Sequence, residues 1–357
     1  YNVSPSLSPD GSMVAVLSDQ NGYFDINILD AMTGEKIKKL IKGNRGVDFE
    51  ELKWLQPGLS WSPDSKKIVF AAKAGKGDVL HVVEVETGKG EKYELDIEGV
   101  FSASWSPLGN EIAYVGQSGN SSDIYIFDLN SQISKKITND IFSDSYPTWS
   151  GDGKNIAFVS DRGNEISGSY DGFMYEHDYS QTDIYSVNVE TKKIDRVTNT
   201  NHNESHPVWS KTSDNIFYTS DHNGVWNLYR HSISGSEDSE PIPVTNVLTG
   251  LQQPTISGDD RLLIFAGYSG IGWDLYSMAN PLTLKKQTVN PTQFILNGKT
   301  EDESIADLRK HKSNMRSMIE ESNNYSNHVF AKGYEHFNST SSKSIVAEEL
   351  VSTDSSK

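Results

Sequence analysis

The sequence contains no cysteine. Disulfides, thiolate metal sites and a cysteine nucleophile are therefore excluded. Basic residues are too few to balance the acids: 32 Lys and Arg against 49 Asp and Glu leave a formal charge of −17. A surface of that sign repels phosphate backbones and anionic lipid, so no nucleic-acid partner is expected. No apolar run approaches the roughly 18 residues of a membrane-crossing helix, so no transmembrane segment is expected. Catalytic signatures are missing too. There is no His-Glu-x-x-His motif and no phosphate-binding glycine loop between a strand and a helix. Gly267-Tyr268-Ser269-Gly270-Ile271 has Ile where a nucleophile elbow needs its second Gly, and it reads as a hairpin turn. The first residue is Tyr1 rather than Met, which points to a processed or excised chain whose leader peptide would not be seen.

What is present is repetition. Six segments share one order: a tight turn, an apolar run, a polar turn, then an alternating run. The tight turns begin at Ser8, Ser62, Ser106, Ser150, Ser210 and Ser257, with spacings of 54, 44, 44, 60 and 47 residues. A unit near 44 residues with loop insertions fits all five. Ser8-Pro9-Asp10-Gly11 and Ser150-Gly151-Asp152-Gly153 carry the residues a tight turn favours, because Pro fixes φ and Gly accepts positive φ. Apolar strands follow at Met13–Leu17, Ile68–Ala72, Ile112–Val115, Ile156–Val159, Ile216–Tyr218 and Leu262–Ala266. Period-2 strands come next, as in Asp123-Ile124-Tyr125-Ile126-Phe127 and Asp183-Ile184-Tyr185-Ser186-Val187. Four short strands per unit of this length make a propeller blade. Trp61, Trp105, Trp149 and Trp209 each precede a turn Ser, with Leu7 and Ile256 in that place in the end units. A repeated position argues for inter-blade packing rather than carbohydrate stacking.

The expected fold is all-β: a six-bladed propeller over residues 1–290, with blades at 1–42, 57–98, 99–140, 141–200, 201–248 and 249–290. The repeat Trp61-Ser62-Pro63-Asp64, Trp149-Ser150-Gly151-Asp152-Gly153 with Ser160-Asp161-Arg162, and Asp183-Ile184-Tyr185 resembles the TolB-like β-propeller family. The resemblance covers roughly four-fifths of the chain. It implies a bacterial cell-envelope or periplasmic setting and a protein or peptide partner. The same repeat also serves peptidase accessory domains and metal-dependent polysaccharide lyases. The fifth unit departs from the motif, with Lys211-Thr212-Ser213 replacing Pro-Asp-Gly.

Two insertions interrupt the repeat. Between about Gly43 and Gln56, the helical spacing of Phe49, Leu52 and Leu55 suggests a short amphipathic helix. A second insertion of about 16 residues lies between Asp161 and Asp183. It is acidic and aromatic, and loops on a rigid scaffold often carry binding. Tyr170, Asp171, Tyr175, Glu176 and Asp178 are its candidate contacts. A solvated excursion is the plainer alternative, and a Ca²⁺ site through Asp171, Glu176 and Asp178 matches no EF-hand spacing. Residues 291–357 read as a linker or disordered tail, rich in Ser, Asn, Lys and Glu, with one weak helix over 301–321. The tail suggests fusion to further domains.

The loops entering each inner strand converge on the central channel. Counting back from the inner-strand Trp gives Ser4, Gly58, Ser102, Tyr146, His206 and Gln253 as equivalent positions. Tyr146, His206 and Gln253, with Asp144, Glu204 and Gln252 beside them, form the expected channel-face site. His202, Glu204 and His206 would share one face of an extended strand, but one His in the channel is too few for a metal site, so no metal or cofactor is assigned. The leading expectation is a non-enzymatic module that binds a protein or peptide at this face. The alternatives are a gating propeller of a larger envelope enzyme such as a peptidase, or a metal-dependent lyase.

Overall fold

The computed structural model describes residues 2–296 apart from positions 21, 44–50, 53–55, 57, 76, 120, 167–176, 234–239, 271 and 294. Each repeat folds into one antiparallel sheet, because its apolar runs are separated by turn-forming clusters. Blade one comprises β1 (Asn2–Leu7), β2 (Met13–Ser18), β3 (Asp25–Asp30) and β4 (Lys36–Ile41), paired in that order. Blade two comprises β5 (Glu51–Leu52), β6 (Ser60–Trp61), β7 (Lys67–Ala74), β8 (Gly77–Glu84) and β9 (Gly90–Glu94). Blade three holds β10 (Gly99–Trp105), β11 (Glu111–Ser118), β12 (Ser121–Asp128) and β13 (Ile133–Lys136). Blade four holds β14 (Asp144–Trp149), β15 (Asn155–Ser160), β16 (Asp183–Asn188) and β17 (Ile194–Arg196). Blade five holds β18 (Glu204–Trp209), β19 (Asn215–Ser220), β20 (Asn227–Ser232) and β21 (Ile242–Pro243). Blade six has three strands among the described residues: β22 (Leu251–Ile256), β23 (Leu262–Ser269) and β24 (Gly272–Ala279). The result is a six-bladed propeller of antiparallel blades.

The chain separates into two compact units, Tyr1–Thr292 and Gln293–Lys357. The helix expected over 301–321 lies outside the described residues. The helix expected around Leu52 is corrected. Leu52 is buried and pairs with Ala72, so β5 is a piece of blade two's inner strand. Both β5 and β6 pair with β7, and positions 53–59 of the sequence separate them. Phe49 and Leu55 lie outside the described residues.

Six apolar clusters fill the six blade interfaces. Trp61 packs with Ile26 and Ile28 of the preceding blade, Trp105 with Val69 and Leu80, Trp149 with Ala113 and Ile124, and Trp209 with Ala157 and Ile184. The indole N–H of Trp61 donates to Ser6 O at 2.8 Å and that of Trp149 to Ser104 O at 3.0 Å, each on the preceding inner strand. Among the described residues, the first interface holds twelve buried apolar residues and the seam between blades six and one holds five, the smallest of the six clusters. Hydrogen bonds supplement it: Ser4 N–H donates to Gln253 Oε1 at 2.8 Å and Leu7 N–H to Thr255 Oγ1 at 3.0 Å.

The irregular fifth turn is completed by its neighbour. In the regular turns the Ser hydroxyl donates to its own Asp, as Ser150 Oγ does to Asp152 at 2.7 Å. In blade five the acceptor is Asp260 of blade six, which takes Ser210 Oγ at 2.7 Å and the Lys211 and Thr212 N–H groups at 2.8 Å each.

Candidate functional site

The inner strands share one irregularity. Between Ser145 and Thr148, and at the same place in blades one, three, five and six, the pairing register shifts. The six equivalent residues Ser4, Gly58, Ser102, Tyr146, His206 and Gln253 all take positive φ, between 48° and 59°. Pro follows in four of them, at Pro5, Pro147, Pro207 and Pro254, and Pro steers its predecessor away from the right-handed helical region. For the five that are not glycine, the left-handed conformation costs on the order of 1–3 kcal/mol each. Gly58 has a further reason to be glycine: a Cβ there would lie 1.9 Å from Ala103 N.

All six residues line one central cavity of about 400 Å³. Its lining is uneven. Blades one to three contribute Ser, Gly and Ser to the ring, whereas blades four to six contribute Tyr146, His206 and Gln253. The Tyr146 and His206 rings lie 4.2 Å apart. Burial pushes the imidazole down to about 4, so His206 is neutral at pH 7, and its Nδ1 has no hydrogen-bond partner. Burial likewise raises Tyr146, although a hydrogen bond with Gln56 opposes the shift. At the other end of the cavity the turns supply Pro9, Pro63, Pro107, Gly151, Lys211 and Gly258. Lys211 is the one ammonium among the described lining residues. Burial pushes it down to about 8, and its Nζ donates to Trp149 O at 3.1 Å.

Asp144, Glu204 and Gln252 do not join this lining. Gln252 is half-buried in the β22–β23 ladder opposite Ala266. Asp144 is buried between blades and accepts from Arg162 Nη2 at 2.6 Å, while Arg162 Nη1 lies 3.1 Å from Asp140. The guanidinium is wholly buried, 5.2 Å from the Phe158 ring and 5.4 Å from Tyr185. Burial raises Asp144 to about 6, against the pull of Arg162. Glu204 occupies the same place one blade on, accepting from Thr200 Oγ1 at 2.6 Å and Thr198 Oγ1 at 3.2 Å. Burial, with the charge of Asp183 adding to it, pushes Glu204 up to about 8. The counterpart of Arg162 is His222, whose ring lies 4.4 Å from that of His202. The acidic rim expected from sequence is therefore corrected: these acids belong to the blade interfaces.

Among the described residues, Asp123, Asp140 and Asp144 are the acids grouped closely enough to hold one ion, with ligand oxygens within 4.8 Å of one another. Arg162 and Lys136, the latter 2.8 Å from Asp123, already pair with all three acids of that group. His206 is the one His, Asp or Glu among the described residues that line the channel. In the second insertion, Tyr170, Asp171, Tyr175 and Glu176 lie outside the described residues. Asp178 is exposed and caps a turn through Ser180 N and Oγ. Sequence reading missed Gln56, Lys211 and Arg162. The recurring X-Pro pair in the inner strands was the available signal for the ring.

A family described as TolB beta propeller domain matches residues 54–167. No curated protein matches the chain. Among solved structures, TolB from Acinetobacter baumannii superposes with a TM-score of 0.58 at 19% identity over 77% of this chain. This chain spans 62% of that one, about three-fifths of its length. A TolB from Agrobacterium tumefaciens gives 0.52 at 19% identity, over 63% of this chain and 77% of that one. An oligogalacturonate lyase in complex with manganese gives 0.51 at 16% identity, over 77% and 76%. At these identities the likeness is one of fold. No helix among the described residues is long and apolar enough to cross a membrane. The repeat and the blade order make the chain a six-bladed β-propeller, of which residues 54–167 match the TolB beta propeller domain family.

Proposed function

We propose that this chain is a non-enzymatic binding module of a bacterial cell-envelope protein, and that it takes a protein or peptide segment at the channel face. One observation carries the reading: six equivalent left-handed positions hold small residues on one side of the ring and large hydrogen-bonding residues on the other. The small side leaves the space, and its volume of about 400 Å³ falls in the range of ligand pockets. The large side supplies the Tyr146 hydroxyl, the His206 ring nitrogens and the Gln253 amide. Tyr146 and His206 are uncharged at neutral pH, so a neutral peptide group can replace water there without desolvating an ion. Lys211 offers a positive charge at the far end for an acidic side chain or terminus.

Panning a random linear peptide library against the immobilised propeller tests this. Enriched peptides are expected to bind the Tyr146→Ala/His206→Ala/Gln253→Glu variant at least about tenfold more weakly. Glu at 253 keeps the acceptor for Ser4 N–H, so circular dichroism of the variant should match the parent. Equal binding by a folded variant would remove the channel assignment.

A further inference from the structure

We propose that the outer edge of blade six is a second binding site, taking one extended strand of a partner polypeptide with a basic residue, an aliphatic residue and Thr in succession. The surface is separate from the channel and the proposal stands without it.

In blades one to five a fourth strand covers the third. In blade six, β24 pairs with β23 on one side, and its other side has no partner strand among the described residues. An open strand edge presents unpaired N–H and C=O groups to a further strand. Blades three and four show what belongs there in full; blade one keeps the basic residue, Lys39, blade five keeps the Thr, Thr245, and blade two, with Tyr93-Glu94-Leu95, has neither. An acid or amide stands within the first three residues of each third strand: Asp25, Asp78, Asp123, Asp183 and Asn227, all buried. Asp123 and Asp183 pair with a cation of the fourth strand, Lys136 at 2.8 Å and Arg196 at 2.6 Å, and Asp25 pairs likewise with Lys39. Asp274 stands at this place in β24, opposite Gly267 as Asp123 is opposite Gly116. Unlike the other five, Asp274 is exposed, and its recorded partner is the neighbouring Ser269 Oγ at 3.2 Å.

The backbone repeats the argument. The residue after the acid turns its N–H and C=O outward. Ile124, Ile184 and Leu228 N–H each donate to a Thr hydroxyl of Thr138, Thr198 and Thr245 at 2.8 Å. Their carbonyls accept from Ile137, Val197 and Val244 at 2.8–2.9 Å. In β24 that residue is Leu275, and strand alternation turns Trp273 and Ser277 the same way. The covering sequences are Lys136-Ile137-Thr138, Arg196-Val197-Thr198 and Pro243-Val244-Thr245. They define the occupant: a basic residue for Asp274, an aliphatic N–H for the Leu275 carbonyl and a Thr hydroxyl for the Leu275 N–H. Charge selects against a second copy, because β24 has no Lys or Arg and the chain carries −17. The chain's nearest basic run with Thr, Lys285-Lys286-Gln287-Thr288, is held on blade five, where Gln287 N–H donates to Pro243 O at 2.8 Å and Thr288 O accepts from Asn246 Nδ2 at 3.0 Å.

The probe is a synthetic peptide copying residues 134–140, Ser-Lys-Lys-Ile-Thr-Asn-Asp, and the readout is amide hydrogen exchange of the full chain by NMR. The free protein should show unprotected Leu275 and Ser277 amides. Peptide at about 1 mM should slow both by about tenfold or more, as strand addition requires. A peptide with Glu in place of its second Lys should give no protection, and Asp274→Lys should exchange the two preferences. Protection in the free chain would mean that its own tail or a second copy holds the edge, and would overturn the proposal. So would equal protection by both peptides or by neither.

Discussion

Asp144 and Tyr146 are two residues apart on one strand, and so are Glu204 and His206, yet each pair divides between two regions of the molecule. The acids lie in the blade interfaces and the rings lie in the channel. A regular strand would put both members of a pair on one face. The left-handed residue and the register shift beside it break that alternation. In the interfaces the acids accept from Arg162 and from Thr hydroxyls, although Asp144 Oδ2 has no hydrogen-bond partner among the described residues, and neither has His206 Nδ1 beside the channel. Polar residues near the channel therefore divide by place, into acids buried in the walls and larger side chains that line the opening. The two interfaces differ as well. Asp144 has a buried guanidinium, whereas Glu204 has hydroxyl donors and keeps its proton.

The largest expected effect is at Arg162. Arg162→Met leaves Asp140 and Asp144 buried without their cation, and should lower the unfolding free energy by about 3–5 kcal/mol in urea at pH 7. A loss below about 1 kcal/mol would mean that the acids are stable without it. Trp149→Ala empties the same interface and should cost about 3–5 kcal/mol by the same measurement, since Trp149 is fully buried.

The pH dependence should be smaller and specific to the other interface. Glu204 has a folded value near 8 against an ordinary value of 4.5, so the folded state binds the proton more tightly. Its contribution is complete below about 4.5 and is lost as pH rises through about 8. One such group gives at most about 1.4 kcal/mol per pH unit. Glu204→Gln should flatten the fall in stability between pH 6 and 8 while changing stability at pH 5 by less than about 1 kcal/mol. A slope unchanged by the substitution would place the titrating group elsewhere.

The propeller itself was legible because its signal is periodic: turn and apolar run recur six times and the Trp before the turn four times, and each of those Trp packs on the preceding blade. The ring positions were legible by the same counting. Their neighbours were not, because a period-2 rule cannot see a left-handed residue within a strand. The partnership of Asp144 with Arg162 spans 18 residues and a loop, so no local pattern announces it. Leu52 reads as helical because Phe49, Leu52 and Leu55 are spaced by three, and a two-residue strand leaves no period-2 run to oppose that reading.

The division between wall and channel is tested most directly by measuring stability and binding on one variant. Tyr146→Ala/His206→Ala should lose less than about 3 kcal/mol of stability, part of it because Tyr146 also packs against the core between blades four and five, and should bind channel-selected peptides at least about tenfold more weakly. A variant that loses stability by about 3 kcal/mol or more, or that binds as the parent does, would contradict the account.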